Sequence, residues 1–369
     1  MKALLIPEYG TNGGTRTFFF RLLDIHHKNN VNTGIIIPEA QADKEVLSVC
    51  KEKDFPVFAV PDRKPVFFEA YTSLLYDFYF YRGIIKRFSP DMVVVSNGTP
   101  GINLGVFLMS FPVLYIMHTV PNKTSWKTAG MKLIHRFFTS RKKSMATVSH
   151  YAAKKIHENM QVPEINIDVV YNSCPVFPDR PKQKSTPMVL TVGHVVAYKN
   201  PETWLAVAKK IVSWNSAVRF IWLGDGRLLK KMRTLVEELH LGKNIIFYGF
   251  TPDITRFYRE ATVYFQPSRI ESHGISVLNA MAHALPCVVS NAGGLPESVQ
   301  DGKTGYVCSP DDVNTFFEKI RVCLEDPVLS GRMGAAGGAR AETVFNQEIQ
   351  ELKILDLYHE KIAGVNRND

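Results

Sequence analysis

Residues 271–297, ESHGISVLNAMAHALPCVVSNAGGLPE, set a carboxylate, Glu271, three positions ahead of Gly274 and an apolar run. Ile275, Leu278 and Met281 recur at helical spacing, so a helix is expected to begin at Gly274. The free amides of Gly274, Ile275 and Ser276 at its start would form an anion site. Glu271 hangs in the loop before that end, and Asn279 lies one turn inside. A carboxylate in such a place accepts strong, charge-assisted hydrogen bonds from paired sugar hydroxyls. The plainer alternative makes Ser272 the helix cap and turns Asn279 to solvent.

A second stretch, TVGHVVAYKNPETW, puts Gly193 and His194 just after a strand, with Lys199 directly before Asn200, an expected N-cap, and Pro201 at the first helical position. An ammonium beside a helix N-terminus can neutralise a diphosphate without a metal. WLGDG at 222–226 adds another glycine turn after a strand. Near the N-terminus, Gly10, Gly13 and Gly14 follow the first apolar run and open a helix, a turn that lets backbone amides approach a phosphate. The spacing is not G-x-G-x-x-G. Glu39, at the end of the second strand, still leaves a dinucleotide-dependent dehydrogenase as a remote alternative.

These residues need elements to position them. KALLI, TGIIIP, PVFAV, DMVVVS, PVLYIMH, MATVS and IDVVYN alternate with longer amphipathic segments at 14–29, 41–52, 66–88, 100–109, 128–140 and 150–158. That is the pattern of a parallel sheet with helices on both faces. SCPVFPDRPKQKSTP, 173–187, has four prolines and no apolar periodicity, and reads as a linker. The alternation then restarts with MVLTV, RFIWLG, NIIFYG, TVYFQ, PCVVS and GYVCS, and ends in helices over 311–325, 328–343 and 346–363. The expected fold is α/β, with two doubly wound Rossmann-like domains facing across a cleft: 1–172, a linker at 173–187, and 188–345. The last helix, 346–369, is expected to pack back toward the first domain. In such folds ligands bind at the carboxyl ends of the strands.

Taken together, the glycine loop at 13–14, VLYIMHT ending in His118, ATVSHYAAKKI, VVYNS, TVGHVVAYKNPETW, FIWLGDGRLLKKM, NIIFYGF, the E-x7 stretch from Glu271 and NAGGLPESVQDGKTGYV resemble the family-4 retaining glycosyltransferases of the GT-B fold. The resemblance covers nearly the whole chain. It implies transfer of a sugar, with retained configuration, from a nucleotide diphosphate sugar to a hydroxyl acceptor, in cell-envelope, polysaccharide or glycolipid synthesis. No cofactor or metal is implied, and no D-x-D occurs in the chain. UDP-sugar is the default donor and GDP-sugar the next.

By position, the resemblance implies that Lys199 and His194 contact the donor diphosphate, helped by Gly193 and the amides after Gly274. Glu271 would hold hydroxyls of the transferred sugar, and Asn279 the ribose. Gly294 and Glu297 would line the donor end, with Phe250 and Thr251 beside the base. Gly13 and Gly14 would close over the phosphates, and His118 would sit near the reacting hydroxyl. Two positions depart from the family: arginine is usual where this chain has His194, and a second glutamate where it has Asn279. Histidine loses the bidentate phosphate grip, whereas asparagine keeps an acceptor and gains donors. A catalytically degenerate GT-B binding or regulatory partner is therefore the alternative function.

The formal net charge of +9 lies entirely in the first half: residues 1–185 carry 24 Lys+Arg against 15 Asp+Glu, and the remainder 20 against 20. Such a field attracts an anionic partner. Residues 55–88 hold eleven Phe or Tyr, and KLIHRFFTSRKK at 132–143 mixes basic and aromatic residues as an interfacial helix does. Lys132, Arg136, Arg141, Lys142 and Lys143 are thus expected to meet an anionic membrane surface or a lipid-linked acceptor. No nucleic-acid reading motif is present, so nucleic acid is not an expected partner. The initial apolar run is too short for a signal peptide core, and no segment reaches the ~20 apolar residues of a spanning helix. Five scattered cysteines form no C-x-x-C pair. The expectation is a cytoplasmic protein, peripheral on the inner membrane face.

Overall fold

A computed structural model describes residues 1–8, 13–62, 69–97, 103, 105–106, 109–121, 143–177 and 186–364. The chain divides into two units, one of residues 1–171 with 351–369 and the other of residues 172–350.

The first unit is built on seven parallel strands: β1 (Lys2–Glu8), β2 (Asn32–Pro38), β3 (Val57–Val60), β4 (Met92–Asn97), β5 (Val113–Met117), β6 (Lys143–Thr147) and β7 (Ile167–Val169). Their order is β3-β2-β1-β4-β5-β6-β7, so the winding reverses between β1 and β4, which are in register from Ala3↔Met92 to Glu8↔Asn97. β4 and β5 are buried at every position, as expected of strands covered on both faces. Helix α1 (Gly14–Lys28) buries Phe18, Phe19, Leu22 and Leu23 in one of the two cores of this sheet. The described remainder includes α2 (Lys44–Glu52), α3 (Glu69–Phe88) and α4 (His150–Met160).

The second unit has six parallel strands: β8 (Met188–Val192), β9 (Arg219–Leu223), β10 (Ile245–Gly249), β11 (Val263–Gln266), β12 (Cys287–Ser290) and β13 (Gly305–Cys308). The order β10-β9-β8-β11-β12-β13 reverses between β8 and β11. Its helices are α5 (Pro201–Trp214), α6 (Leu229–Glu238), α7 (Thr255–Glu260), α8 (Ile275–Ala282), α9 (Leu295–Ser298), α10 (Val313–Glu325) and α11 (Pro327–Val344). Trp204, Trp222 and Phe247 meet in its core, with ring centroids 5.0–5.7 Å apart.

The proline-rich stretch differs from a free linker where it is described. Cys174 bridges to Asn346, and its amide donates to the Phe345 carbonyl at 2.9 Å, so residues 173–177 are part of the second unit. The last helix, α12 (Gln347–Ala363), puts Ile354, Leu357 and Tyr358 into the first unit's core. His26 joins it there, its Nδ1 2.8 Å from Thr33 Oγ1 and its Nε2 2.9 Å from the Tyr358 hydroxyl. All five cysteines are buried and free. Among the described residues no helix is long and apolar enough to cross a membrane.

Burial holds His26, His118 and His273 neutral, lowering each pKa to about 3. An unfolded histidine titrates near 6.5, so as pH falls the unfolded chain takes up these protons first. Their contribution to stability is complete above about pH 6.5 and is lost as pH falls toward 3, at about 1.4 kcal/mol per pH unit for each histidine. Two of them lie in the first unit and one in the second. Thermal unfolding followed from pH 7.5 to 4.5 is expected to show a falling midpoint, with His26→Gln reducing the slope.

Candidate active site in the second unit

The residues following β8 and β11 sit on either side of the strand reversal, where open α/β sheets bind ligands. Gly193 leaves β8 at φ +152°, and its carbonyl accepts from Trp222 Nε1 at 2.8 Å. A Cβ on Gly224 would lie 2.1 Å from that same carbonyl oxygen, so the turns after β8 and β9 pack backbone against backbone. The chain then makes a short 3-10 turn at Ala197–Lys199. Asn200 stands at the start of α5, but in the left-handed region and without a capping bond. It thus holds the expected N-cap position, but its side chain does not cap: its Nδ2 donates instead to the Pro310 carbonyl at 2.8 Å, anchoring the helix start to the loop before α10.

Across the reversal, the Arg269 amide donates to the Tyr198 carbonyl at 2.8 Å, tying the Lys199 turn to the loop after β11. Lys199 Nζ donates to Glu271 Oε2, and the two side chains are only 13% and 15% exposed. Gln266, the last residue of β11, gives the same oxygen a second donor from Nε2 at 2.8 Å. Gly274, at φ +90°, starts α8, so Ser272 is not its cap. Helix geometry leaves the first amides of α8 without intrahelical partners, beside the carboxylate. Asn279 is half-buried, on the same helix as Ser276, whose carbonyl accepts from the hydroxyl of the buried Tyr258 at 3.0 Å.

The glycine pair has a steric cause. Gly293 lies at φ +62°, and a Cβ there would sit 1.7 Å from the Glu271 carbonyl oxygen. Gly294, preceding α9, donates its amide to that carbonyl at 3.0 Å. Gly293→Ala must therefore displace the Glu271 loop as well as strain its own backbone, and is expected to destabilise the protein by about 3 kcal/mol. Urea unfolding measures the loss, and nucleotide-sugar binding should weaken with it.

The other expected residues have their own surroundings. His194 is exposed next to Gly193, and its carbonyl accepts from the Val196 amide. Phe250, 60% exposed, and Thr251 follow β10, the edge strand two places from β8. Glu297 is half-buried in α9, with its carbonyl held by Arg340 at 2.8 Å. In the first unit, Gly13 and Gly14 open α1 and are exposed. His118 follows β5, 8% exposed, with Nε2 2.9 Å from Ser96 Oγ and its ring edge-on to Phe18 of α1 at 4.6 Å. Held neutral by burial, it suits a hydrogen-bonding role toward a hydroxyl. Lys132, Arg136, Arg141 and Lys142, like Gly10, lie outside the described residues. Lys143 does not continue an interfacial helix: it opens β6, half-buried, and burial lowers its pKa. Among the described residues no three His, Cys, Asp or Glu side chains are grouped to hold a metal.

Gln266, Arg269 and Gly293 were not singled out by the sequence reading. Gln266 did leave a signal, as a polar residue ending the apolar strand VYFQ.

Two parallel-sheet Rossmann-like domains of this kind define the fold of the GT-B glycosyltransferases. Residues 176–340 match the family model described as Glycosyl transferases group 1. The N-acetyl-alpha-D-glucosaminyl L-malate synthase of Bacillus anthracis is 26% identical over 245 residues, 63% of this chain and 63% of that protein. The sulfoquinovosyl transferase SQD2 of Arabidopsis thaliana is 27% identical over 288 residues, 70% of this chain and 54% of that protein. The matched region thus spans less than two thirds of the length of these curated relatives. A solved structure of HepE from Anabaena in complex with UDP-glucose shares the fold with a TM-score of 0.77 at 16% identity, covering 97% of this chain and 99% of that one.

Proposed function

We propose that this chain is a retaining, metal-independent glycosyltransferase that moves a sugar from a nucleotide diphosphate sugar to a hydroxyl acceptor in glycoconjugate synthesis. The observation that carries this reading is the Lys199–Glu271 pair at the strand reversal, beside the N-terminus of α8. Lys199 has three ammonium protons and gives one to Glu271. The others, with the first amides of α8, can meet the oxygens of a diphosphate as negative charge builds on the leaving group. Glu271 would hold hydroxyls of the transferred sugar, and Asn279 the ribose.

No carboxylate stands out as a nucleophile, so attack is assigned to the face from which the diphosphate departs. The acceptor oxygen bonds to the anomeric carbon, the carbon–phosphate oxygen bond breaks, and the leaving phosphate oxygen takes the acceptor's proton. Positioning and charge stabilisation then supply the catalysis. UDP is the first donor nucleotide to try, in keeping with the UDP-glucose complex of a protein of the same fold. The acceptor is assigned to the first unit, where the excess positive charge favours an anionic or lipid-linked molecule. Proton NMR of the sugar released or transferred from an α-linked donor tests the stereochemistry. An α product as the first anomer supports retention, whereas a β product contradicts it.

A further inference from the structure

Gln266 is 1% exposed at the carboxyl end of β11, and every hydrogen-bonding end of its amide is directed. Its Oε1 accepts from the Tyr264 hydroxyl at 2.9 Å and from Ser276 Oγ at 3.0 Å. Hydroxyls can donate or accept, but the Glu271 carboxylate can only accept, so the Nε2 end must face it and Oε1 the two hydroxyls. Nε2 donates to Glu271 Oε2 at 2.8 Å.

The consequence falls on Glu271. One carboxylate oxygen, Oε2, receives both Lys199 and Gln266, while among the described residues no hydrogen bond is formed to Oε1. A carboxylate held by one oxygen has a set rotation, with the other oxygen free to accept from a ligand. Ser276 lies in the first turn of α8, so the same amide links the carboxylate to the helix end assigned to the diphosphate. Tyr264 is itself fixed: burial raises its pKa, which keeps the phenol a donor, and its ring stacks on Tyr258 at 6.0 Å.

We infer that Gln266 is a positioning residue for sugar recognition, holding Glu271 so that Oε2 stays with Lys199 and Oε1 faces the hydroxyls of the transferred sugar. This rests on the proposed donor site. It predicts a split between two ligands that differ only in the sugar. The proposed site assigns the nucleotide and diphosphate to residues other than Gln266, so their binding should survive its loss, whereas binding of the sugar should not.

The test is calorimetric titration of UDP and UDP-glucose, or of GDP and GDP-mannose should the wild type take the guanine pair, into wild type, Gln266→Leu and Tyr264→Phe. Gln266→Leu is expected to weaken nucleotide-sugar binding about tenfold and nucleotide binding less than about twofold, the effect of losing one bond to a charged group. Tyr264→Phe keeps the ring and removes one of the two hydroxyls that hold the amide oxygen, so the ratio of the two affinities should shift in the same direction by about threefold. It keeps the inference testable if the leucine variant does not fold. Unchanged ratios in both variants, or equal weakening of both ligands, overturn the positioning role while leaving the donor site standing. A wild type that binds neither pair of ligands overturns the donor site and the inference with it.

Discussion

Lys199→Ala is expected to weaken nucleoside diphosphate binding about a hundredfold, through the loss of charge-assisted contacts and the exposure of an uncompensated carboxylate to the ligand. The second contribution follows from the geometry. Glu271 is largely buried and loses its cation, so a negative charge would face the incoming phosphates from within the same loop cluster. Removing one partner of such a pair also costs stability, about 1–3 kcal/mol here because the pair keeps some contact with solvent. A lowered melting temperature in Lys199→Ala is therefore part of the expectation. Calorimetry below that melting temperature separates lost affinity from lost fold. Lys199→Arg should recover part of the affinity, since it restores charge while changing its geometry.

Glu271→Gln should act on the other half of the donor. The amide can still accept one hydrogen bond, but the carboxylate charge that strengthens contacts to sugar hydroxyls is gone. Turnover is expected to fall about a hundredfold if those contacts tighten as positive charge develops on the sugar ring. Nucleotide affinity should move in the opposite direction or stay level, because Lys199 is no longer shared with a carboxylate. Paired measurements of turnover and of UDP affinity distinguish this from damage to the loop. If turnover is unchanged, Glu271 does not hold the reacting sugar.

The alternation of apolar runs was enough to place the thirteen strands found among the described residues, because parallel strands buried on both faces read as continuous β-branched segments. Helix starts were harder. Asn200 before Pro201 looks like a capping pair, yet its side chain reaches Pro310, a partner more than a hundred residues away that local spacing cannot reveal. The site shows the same division. Glu271, Lys199 and Gly274 are legible because a carboxylate, an ammonium and a glycine at strand and helix ends have few local uses. Their pairing is not, since it depends on β8 and β11 being neighbours. Gly293 could be read only as a turn residue, and its real constraint is a carbonyl oxygen from the Glu271 loop. Gln266 owes its direction to the Glu271 carboxylate, and its oxygen is held by hydroxyls from different elements, β11 and α8. The basic residues 132–142 were prominent as charges, and they lie outside the described residues.

The most direct test of the donor site is calorimetric titration of UDP, GDP, ADP and CMP into the wild-type protein in buffer containing EDTA. Selective binding of one nucleoside diphosphate without divalent metal is the predicted result, with the positive charge supplied by Lys199 and the end of α8. Binding by none of the four, or binding that appears only when a divalent metal is restored, would contradict it.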